Sequence, residues 1–64
     1  MNQIKRARLR EGLTQGELAE RLGMTYVQIS RWETGKSFPS VRRLKKVAEA
    51  LHTTVNDLLE EEAG

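Results

Sequence analysis

Apolar residues recur along this 64-residue chain every three or four positions, a spacing typical of amphipathic helices. Five such segments follow one another, separated by Gly or by short polar stretches. No segment alternates apolar and polar residues as a half-buried strand does. The sequence therefore predicts an all-α fold in which five helices form one compact domain over residues 1–64, with residues 62–64 frayed.

The inner face of each predicted helix contributes a few side chains to one shared core. These side chains are Ile4, Ala7 and Arg8; Leu18, Ala19 and Leu22; Ile29 and Trp32; Val41, Leu44, Val47, Ala48 and Leu51; and Val55, Leu58 and Leu59. Trp32 falls in phase with Ile29, so we assign it to the core rather than to stacking on a base. A chain of this length lies near the lower size limit for a single-core domain without disulfides.

Capping residues and glycines place the ends of the helices. Capping-box spacing occurs at Thr14 with Glu17, at Thr25 with Gln28, and at Thr54 with Asp57. The first helix is predicted from about Gln3 to Glu11, where Gly12 ends it. Gly35 ends the third helix, and a short loop that contains Phe38 and Pro39 leads to the N-cap residue Ser40.

The second and third helices are predicted to meet in a sharp corner. We place Ala19 where the two helices cross. A larger side chain at that point would hold the two backbones apart. Gly23 directly follows Leu22 and has the position of a left-handed helix stop. Thr25 then restarts the helix, and Ile29 returns to the core. This spacing predicts a helix-turn-helix that presents its second helix to solvent, as a protein that reads a DNA groove requires.

At these positions the chain resembles the phage repressor and Cro-like family of helix-turn-helix regulators, also called XRE-type. The matching segments are IKRARLREGLTQ, QGELAERLG, TYVQISRWETGK, FPS, LKKVAEAL and DLL, and together they cover nearly the whole sequence. The resemblance implies a compact, lambda-repressor-like DNA-binding domain. It also implies a partly buried ion pair between Arg8 and Glu33 and a phosphate contact by Gln15. The chain departs from the family at His52, where Gly usually ends a helix, and at Thr53, where an apolar residue is usual. We expect His52 to adopt a left-handed turn.

The charges of the chain are divided unevenly along its length. Residues 1–48 hold all eleven Lys and Arg and four Glu, a net charge of +7, whereas residues 49–64 hold five acidic residues and no basic one, a net charge of −5. Exposed charge of both signs is common on small helical proteins. Here the division follows the helix-turn-helix, which favours a basic face that meets phosphates and an acidic end that points elsewhere.

Composition argues against several other classes of protein. The chain has no Cys and one His, so we expect no disulfide, no metal and no cofactor. It offers no nucleophile held beside a base and no Gly-rich phosphate loop, so we expect no enzymatic activity. No apolar run exceeds two residues, which excludes a signal peptide or a membrane span and leads us to expect a cytoplasmic protein.

The outward face of the third helix supplies the candidate base contacts, which are Tyr26, Val27, Gln28, Ser30 and Arg31. Arg31 can donate two hydrogen bonds to guanine O6 and N7. Val27 and the ring of Tyr26 suit a thymine methyl, or the Tyr26 hydroxyl reaches a phosphate instead. Gln28 binds adenine, contacts the DNA backbone, or caps the helix with Thr25. An ordinary solvent-exposed helix face is the alternative, and an apolar Val27 beside an aromatic Tyr26 fits it poorly.

The candidate phosphate contacts are Gln15, Gly16, Thr25, Lys36, Ser37, Ser40, Arg42 and Arg43. Gln15 and Gly16 begin the second helix, where exposed backbone N–H groups carry partial positive charge. Close approach of DNA to the backbone is one reason for Gly16, and a neutral sequence difference explains it equally well. Basic residues occupy several faces of the fourth helix, so only some of them can reach DNA.

These features together predict a sequence-specific, double-stranded DNA-binding transcriptional regulator, a repressor that occupies a pseudo-palindromic operator as a homodimer. A monomer in solution is compatible with this prediction. Val55, Leu58 and Leu59 of the last helix are the expected dimer contact, unless the core of the monomer consumes them. The alternative is a protein-binding module, such as an antitoxin that docks a partner protein and represses its own operon. The basic body and Arg31 favour DNA.

Overall fold

The computed structural model describes residues 2–59, so the predicted fraying of residues 62–64 lies outside the described residues. This part of the chain forms the helices α1 (Gln3–Arg10), α2 (Gln15–Leu22), α3 (Tyr26–Glu33), α4 (Val41–Ala50) and α5 (Val55–Leu59). It contains no strand, which confirms the all-α prediction. None of these helices has the length and apolar character that a membrane span requires.

The inner faces of the helices pack into one core beside the α2–α3 corner. Its largest fully buried side chains are Ile4, Leu18, Ile29, Leu44, Val47 and Leu51. Trp32 belongs to this core as predicted. Val41 and Leu59 do not, since they are 69% and 53% exposed. Val41 is the first residue of α4 and Leu59 is the last of α5, so each lies at the margin of the packed helices, where periodicity does not guarantee a neighbour.

Four helices end in the same way, with a residue of positive φ that reverses the chain. Gly12, Gly23 and Gly35 have φ values of 72°, 67° and 79° and follow α1, α2 and α3, while His52 follows α4 with φ 54°. At the end of α1, for example, Leu13 N–H donates to the Arg8 carbonyl (3.1 Å) and Gly12 N–H to the Leu9 carbonyl (3.0 Å). This pair of bonds satisfies carbonyls that a helix end leaves unpaired. It also places the end of α1 at Arg10, one residue before the predicted Glu11.

Side-chain caps begin most of the helices. The side chains of Asn2, Thr14, Ser40 and Thr54 accept hydrogen bonds from backbone N–H groups of the first turn. Thr25 has the extended backbone of an N-cap, but its hydroxyl makes no capping bond. The capping box predicted for Thr25 and Gln28 is therefore wrong. The backbone bonds of the turn, from Gly23 and Met24 N–H, go to carbonyls of α2 and do not replace the missing cap.

Candidate nucleic-acid interface

The α2–α3 corner has the geometry that its sequence predicts. Ala19 and Ile29 are buried where the two helices pack against each other. Two hydrogen bonds close the turn: Met24 N–H donates to the Ala19 carbonyl (2.8 Å), and Gly23 N–H donates to the Glu20 carbonyl (3.2 Å). Because Gly23 adopts a left-handed conformation that other residues enter at a cost, the chain reverses within three residues. α3 therefore leaves α2 at a fixed angle.

One face of α3 is buried and the opposite face meets solvent. Ile29 is completely buried, whereas Tyr26 and Val27 are 61% and 42% exposed. Gln28 and Arg31 are also exposed. Among the predicted base contacts Ser30 alone is partly buried, and its carbonyl accepts a hydrogen bond from the Thr34 hydroxyl (3.0 Å). Ser30 is thus half-buried, and the other four candidates are exposed.

The exposed face of α3 combines the chemical groups that base edges recognise. Arg31 carries a guanidinium with several donors, which matches the two acceptors of guanine in the major groove. Tyr26 and Val27 lie next to each other and expose apolar surface to solvent. The amide of Gln28 can both donate and accept. This face can therefore form hydrogen bonds and apolar contacts with the same ligand.

Arg8 and Glu33 form the ion pair that the family resemblance implied. Arg8 donates through Nε to Glu33 Oε2 (2.7 Å) and through Nη2 to Glu33 Oε1 (3.0 Å). The two side chains are only 8% and 3% exposed. Arg8 also donates through Nη1 to the Leu13 carbonyl (2.7 Å). One guanidinium therefore ties α1 to the end of α3 and to the loop before α2, and such a bidentate pair fixes geometry as well as charge.

Gln15, a predicted phosphate contact, is linked to the same ion pair. Its Nε2 donates to Glu33 Oε1 at 3.1 Å, and its side chain is partly buried. Sequence reasoning missed this bond, because it joins residues eighteen positions apart on different helices. The bond uses one of the two amide hydrogens and leaves the second hydrogen for an external acceptor. Glu33 thus holds the Gln15 amide in one orientation at the start of α2.

The start of α2 is closed by the capping box that the sequence predicted. Glu17 N–H donates to Thr14 Oγ1 (3.0 Å), and Thr14 N–H donates to Glu17 Oε1 (2.9 Å). The backbone hydrogen bond from Thr14 is the main reason why the pKa of the Glu17 carboxyl lies below its ordinary value, and the Thr14 hydroxyl and Arg21 add to it. Gly16 is exposed, and a Cβ at this position would meet only Thr14 Oγ1 at 3.9 Å. Internal packing therefore does not require Gly16.

The remaining phosphate candidates lie at the start of α3, in the α3–α4 loop and in the first turn of α4. Thr25, Lys36, Ser37, Ser40, Arg42 and Arg43 are all exposed. The backbone N–H groups of Lys36 and Ser37 donate to the Arg31 carbonyl (2.9 and 3.3 Å), so the donors that these residues can offer a phosphate are in their side chains. Ser40 Oγ accepts from Arg43 N–H (3.2 Å) and begins α4. The structure thus leaves these cationic and hydroxyl groups open to solvent.

Two further contacts that the sequence did not predict hold the scaffold together. Asn2 Nδ2 donates to the Trp32 carbonyl and joins the start of α1 to the end of α3. His52 Nδ1 lies 2.7 Å from Glu11 Oε1 and joins the end of α4 to the end of α1. The left-handed conformation of His52 was expected, but its partner was not. Within residues 2–59 no group of three His, Cys, Asp or Glu side chains is placed to hold a metal ion.

Comparison with known proteins gives consistent matches over most of the chain. A family model described as "Helix-turn-helix" matches residues 4–58. The chain is 36% identical over 56 residues to the HTH-type transcriptional activator BcrR of Enterococcus faecalis, an alignment that covers 88% of this chain and 28% of that protein. It is 29% identical over 45 residues to the cryptic phage CTXphi transcriptional repressor RstR of Vibrio cholerae serotype O1, which covers 70% of this chain and 40% of that protein. The chain therefore spans less than half the length of either relative.

The family match agrees with the geometry of the corner. It extends from the buried Ile4 of α1 to the buried Leu58 of α5, and so includes every helix of the described core. The resemblance to repressor and Cro-like proteins is confirmed, because a phage repressor is among the relatives. The chain belongs to the helix-turn-helix family.

Proposed function

We propose that the protein is a sequence-specific transcriptional regulator that inserts α3 into the major groove of double-stranded DNA. The exposed face of α3 is the observation that supports this most, since Tyr26, Val27 and Arg31 point away from a core that contains Ile29 and Trp32. An α-helix with its side chains is about 10–12 Å in diameter, and the major groove is about 12 Å wide. The rigid corner with α2 holds α3 in a position from which it can enter that groove.

Repression by occupying an operator needs only a domain that binds DNA. A protein that covers a promoter represses it without contacting any further protein. One relative is called a transcriptional repressor and the other a transcriptional activator. We therefore propose repression for this chain, with no catalytic step and with double-stranded DNA as its main partner.

The proposed contacts divide into groups that read bases and groups that bind phosphates. Arg31, Val27, Tyr26 and Gln28 read base edges, with Ser30 at their margin. Gln15, Gly16, Thr25, Lys36, Ser37, Ser40, Arg42 and Arg43 bind the backbone on both sides of α3. Because Gln15 Nε2 donates to Glu33 Oε1, the amide that would donate to a phosphate at the start of α2 is already oriented in the free protein.

Replacement of Arg31 and of Lys36 by Ala tests this division. We expect Arg31→Ala to relax base preference at one position, since a bidentate contact to guanine discriminates by about 1–3 kcal/mol. We expect Lys36→Ala to weaken binding to all sequences alike and to flatten the salt dependence. Selection of random duplexes by the purified proteins at two salt concentrations measures both effects.

Two results of this selection would contradict the proposal. Equal operator selectivity in the wild type and in Arg31→Ala would remove Arg31 from the reading of bases. Negligible DNA affinity that does not change with salt would exclude DNA as the partner and favour the protein-binding alternative. Thermal unfolding of both variants serves as the control, because both side chains are exposed and their loss should leave the fold intact.

A homodimer on a pseudo-palindromic operator is part of the proposal. One copy of α3 contacts only a few base pairs, so two copies on half-sites about 34–36 Å apart are needed for useful affinity. The C-terminal helix is the proposed contact, but its three apolar residues do not contribute equally. Leu58 is buried in the core of the monomer, and Val55 is partly buried against that core. Leu59 is exposed. Leu59 is thus the residue of α5 most available to a second copy.

A further inference from the structure

A cleft lies between the end of α2 and the start of α4. Leu22 and Gly23 line it on one side, and Ser40, Arg42, Arg43 and Lys46 line it on the other. We call it the α4 cleft. Ser40, Arg42 and Arg43 are phosphate candidates of the proposed function, whereas Lys46 has no role in it. Gly23 ends α2 two residues before the N-cap of α3, so the cleft adjoins the start of α3.

The α4 cleft concentrates positive charge that the described part of the chain does not neutralise. Arg42, Arg43 and Lys46 are exposed, and none of them forms an ion pair with any residue from 2 to 59. No acidic side chain lines the cleft. Three cations around one cavity repel each other, and a bound anion would relieve that repulsion. The cleft is therefore suited to a ligand with several negative charges.

The start of α4 strengthens this positive character. Its first turn contains Arg42 and Arg43 and no acidic residue. Basic side chains at a helix N-terminus oppose the helix dipole, which favours negative charge there. This arrangement is unfavourable for the isolated helix and favourable once an anion lies against it. Gly23 lies on the opposite wall, and a Cβ there would meet nothing within 4 Å, so the space beside Gly23 is open.

We propose that the α4 cleft is a phosphate-binding site that Lys46 completes, and that it holds a phosphodiester of the DNA strand beside the start of α3. This inference rests on the proposed function. It adds Lys46, on the second turn of α4, to the contacts with the DNA backbone and so extends the contact surface along the α2–α3 corner. A free polyphosphate has the same chemistry, and the experiment below separates the two sources.

Lys45 and Lys46 form a matched pair for the test. Both are exposed residues of α4, and only Lys46 lines the α4 cleft. We expect Lys46→Gln to weaken binding to every duplex several-fold at low salt, without a change in base preference. The slope of log K against log salt should become shallower by about 0.9, the value for one phosphate contact. Lys45→Gln should leave the slope at the wild-type value, and equal slopes for the two variants would overturn the proposal.

The source of the phosphate is identified by titrating inorganic tripolyphosphate into the protein without DNA. The amide resonances of Gly23 and Arg43 report on the two walls of the cleft. Saturable shifts in the wild type and in Lys45→Gln, but not in Lys46→Gln, would show that the cleft also accepts a free polyphosphate. A change of DNA slope in Lys46→Gln without any such shifts would identify the DNA strand as the sole occupant.

The same measurements distinguish failure of this inference from failure of the proposed function. A wild-type protein that binds no duplex would refute the proposed function, and the cleft would then be tested by the tripolyphosphate shifts alone. A wild type that binds duplexes while Lys46→Gln and Lys45→Gln behave alike in both assays would refute the cleft and leave the function intact. Equal thermal midpoints of the two variants control for folding.

Discussion

Among single residues, Asn2 has two tasks that a sequence pattern cannot separate. Its Oδ1 accepts hydrogen bonds from Ile4 N–H (2.8 Å) and Lys5 N–H (3.3 Å), and its Nδ2 donates to the Trp32 carbonyl. The first task belongs to an N-cap, for which Asn and Asp are about equally good. The second task requires an N–H donor and joins two helices. A carboxylate at position 2 could therefore replace Asn2 as the N-cap, but it could not donate to the Trp32 carbonyl.

Replacement of Asn2 by Asp tests which task matters more. Asp keeps the cap but places an oxygen against the Trp32 carbonyl, so a partly buried acceptor loses its donor. We expect Asn2→Asp to lower the free energy of unfolding by about 1–2 kcal/mol, in the range for an unsatisfied buried polar group. Urea unfolding at pH 7 measures this. Ser40→Asp is the control, because the Ser40 side chain forms one hydrogen bond, which it accepts from Arg43 N–H. If Asn2→Asp loses no more stability than Ser40→Asp, the expectation is wrong.

The ends of the helices show what the sequence predicts well and what it does not. Predictions from local sequence are confirmed: Gly12, Gly23 and Gly35 end helices, and the Thr14 capping box is present. Signals that depend on neighbouring elements failed. Thr25 has the same spacing as Thr14 but no side-chain cap, and Val41 has helical phase but no neighbour to cover it. Periodicity and capping signals describe one helix at a time. Whether a residue at a helix end is buried or capped also depends on where the neighbouring helices lie.

The capping box of α2 predicts a defined dependence of stability on pH. The pKa of Glu17 is lowered in the folded state from its ordinary value of 4.5, chiefly by the backbone hydrogen bond from Thr14. A group with a lowered folded pKa stabilises the fold fully above its unfolded pKa, and this contribution is lost as the pH falls through the folded pKa. We expect the wild type to be more stable than Glu17→Gln at pH 7, and this difference should vanish well below pH 4.5.

Glu20→Gln provides the control for this experiment. It removes the same charge from the same helix, but Glu20 takes no part in the cap. Chemical unfolding of the three proteins between pH 7 and about pH 3 gives the difference at each pH. A difference between wild type and Glu17→Gln that stays constant over this interval would show that the carboxylate does not act through the capping box.

At the scale of the whole molecule, the sequence predicted which residues of the candidate site face solvent. It did not predict the hydrogen bonds that join α3 to α1 and α2. Helical phase alone directs Tyr26, Val27 and Arg31 away from Ile29, and the structure exposes them. The ion pair of Arg8 and Glu33 came from the family resemblance, and the inward helical phase of Arg8 agreed with it. The bonds from Gln15 to Glu33 and from Asn2 to Trp32 join residues 18 and 30 positions apart, and no local pattern encodes such a distance. Both bonds end on α3 and join it to the starts of α2 and α1.

At the scale of the whole molecule, the division of charge along the chain predicts how the domain is oriented on a polyanion. Residues 1–48 carry a net charge of +7 and include α3 and the α4 cleft, whereas residues 49–64 carry −5. A DNA duplex attracts the first part and repels the second. We therefore expect α5, in the second part, to face away from the phosphates, which leaves Leu59 open to a second copy on the neighbouring half-site.

Substitution of the exposed leucines tests whether α5 joins two copies on DNA. Leu59 and Leu9 are 53% and 58% exposed and lie on α5 and α1. We expect Leu59→Glu to lower cooperative binding to a two-half-site duplex roughly tenfold, which corresponds to about 1.4 kcal/mol, because it adds a charge to an apolar contact in an already acidic region. Binding to a single half-site should not change, and Leu9→Glu should retain cooperativity. Gel-shift titrations with both duplexes measure these quantities, and a loss of cooperativity in Leu9→Glu but not in Leu59→Glu would move the dimer contact from α5 to α1.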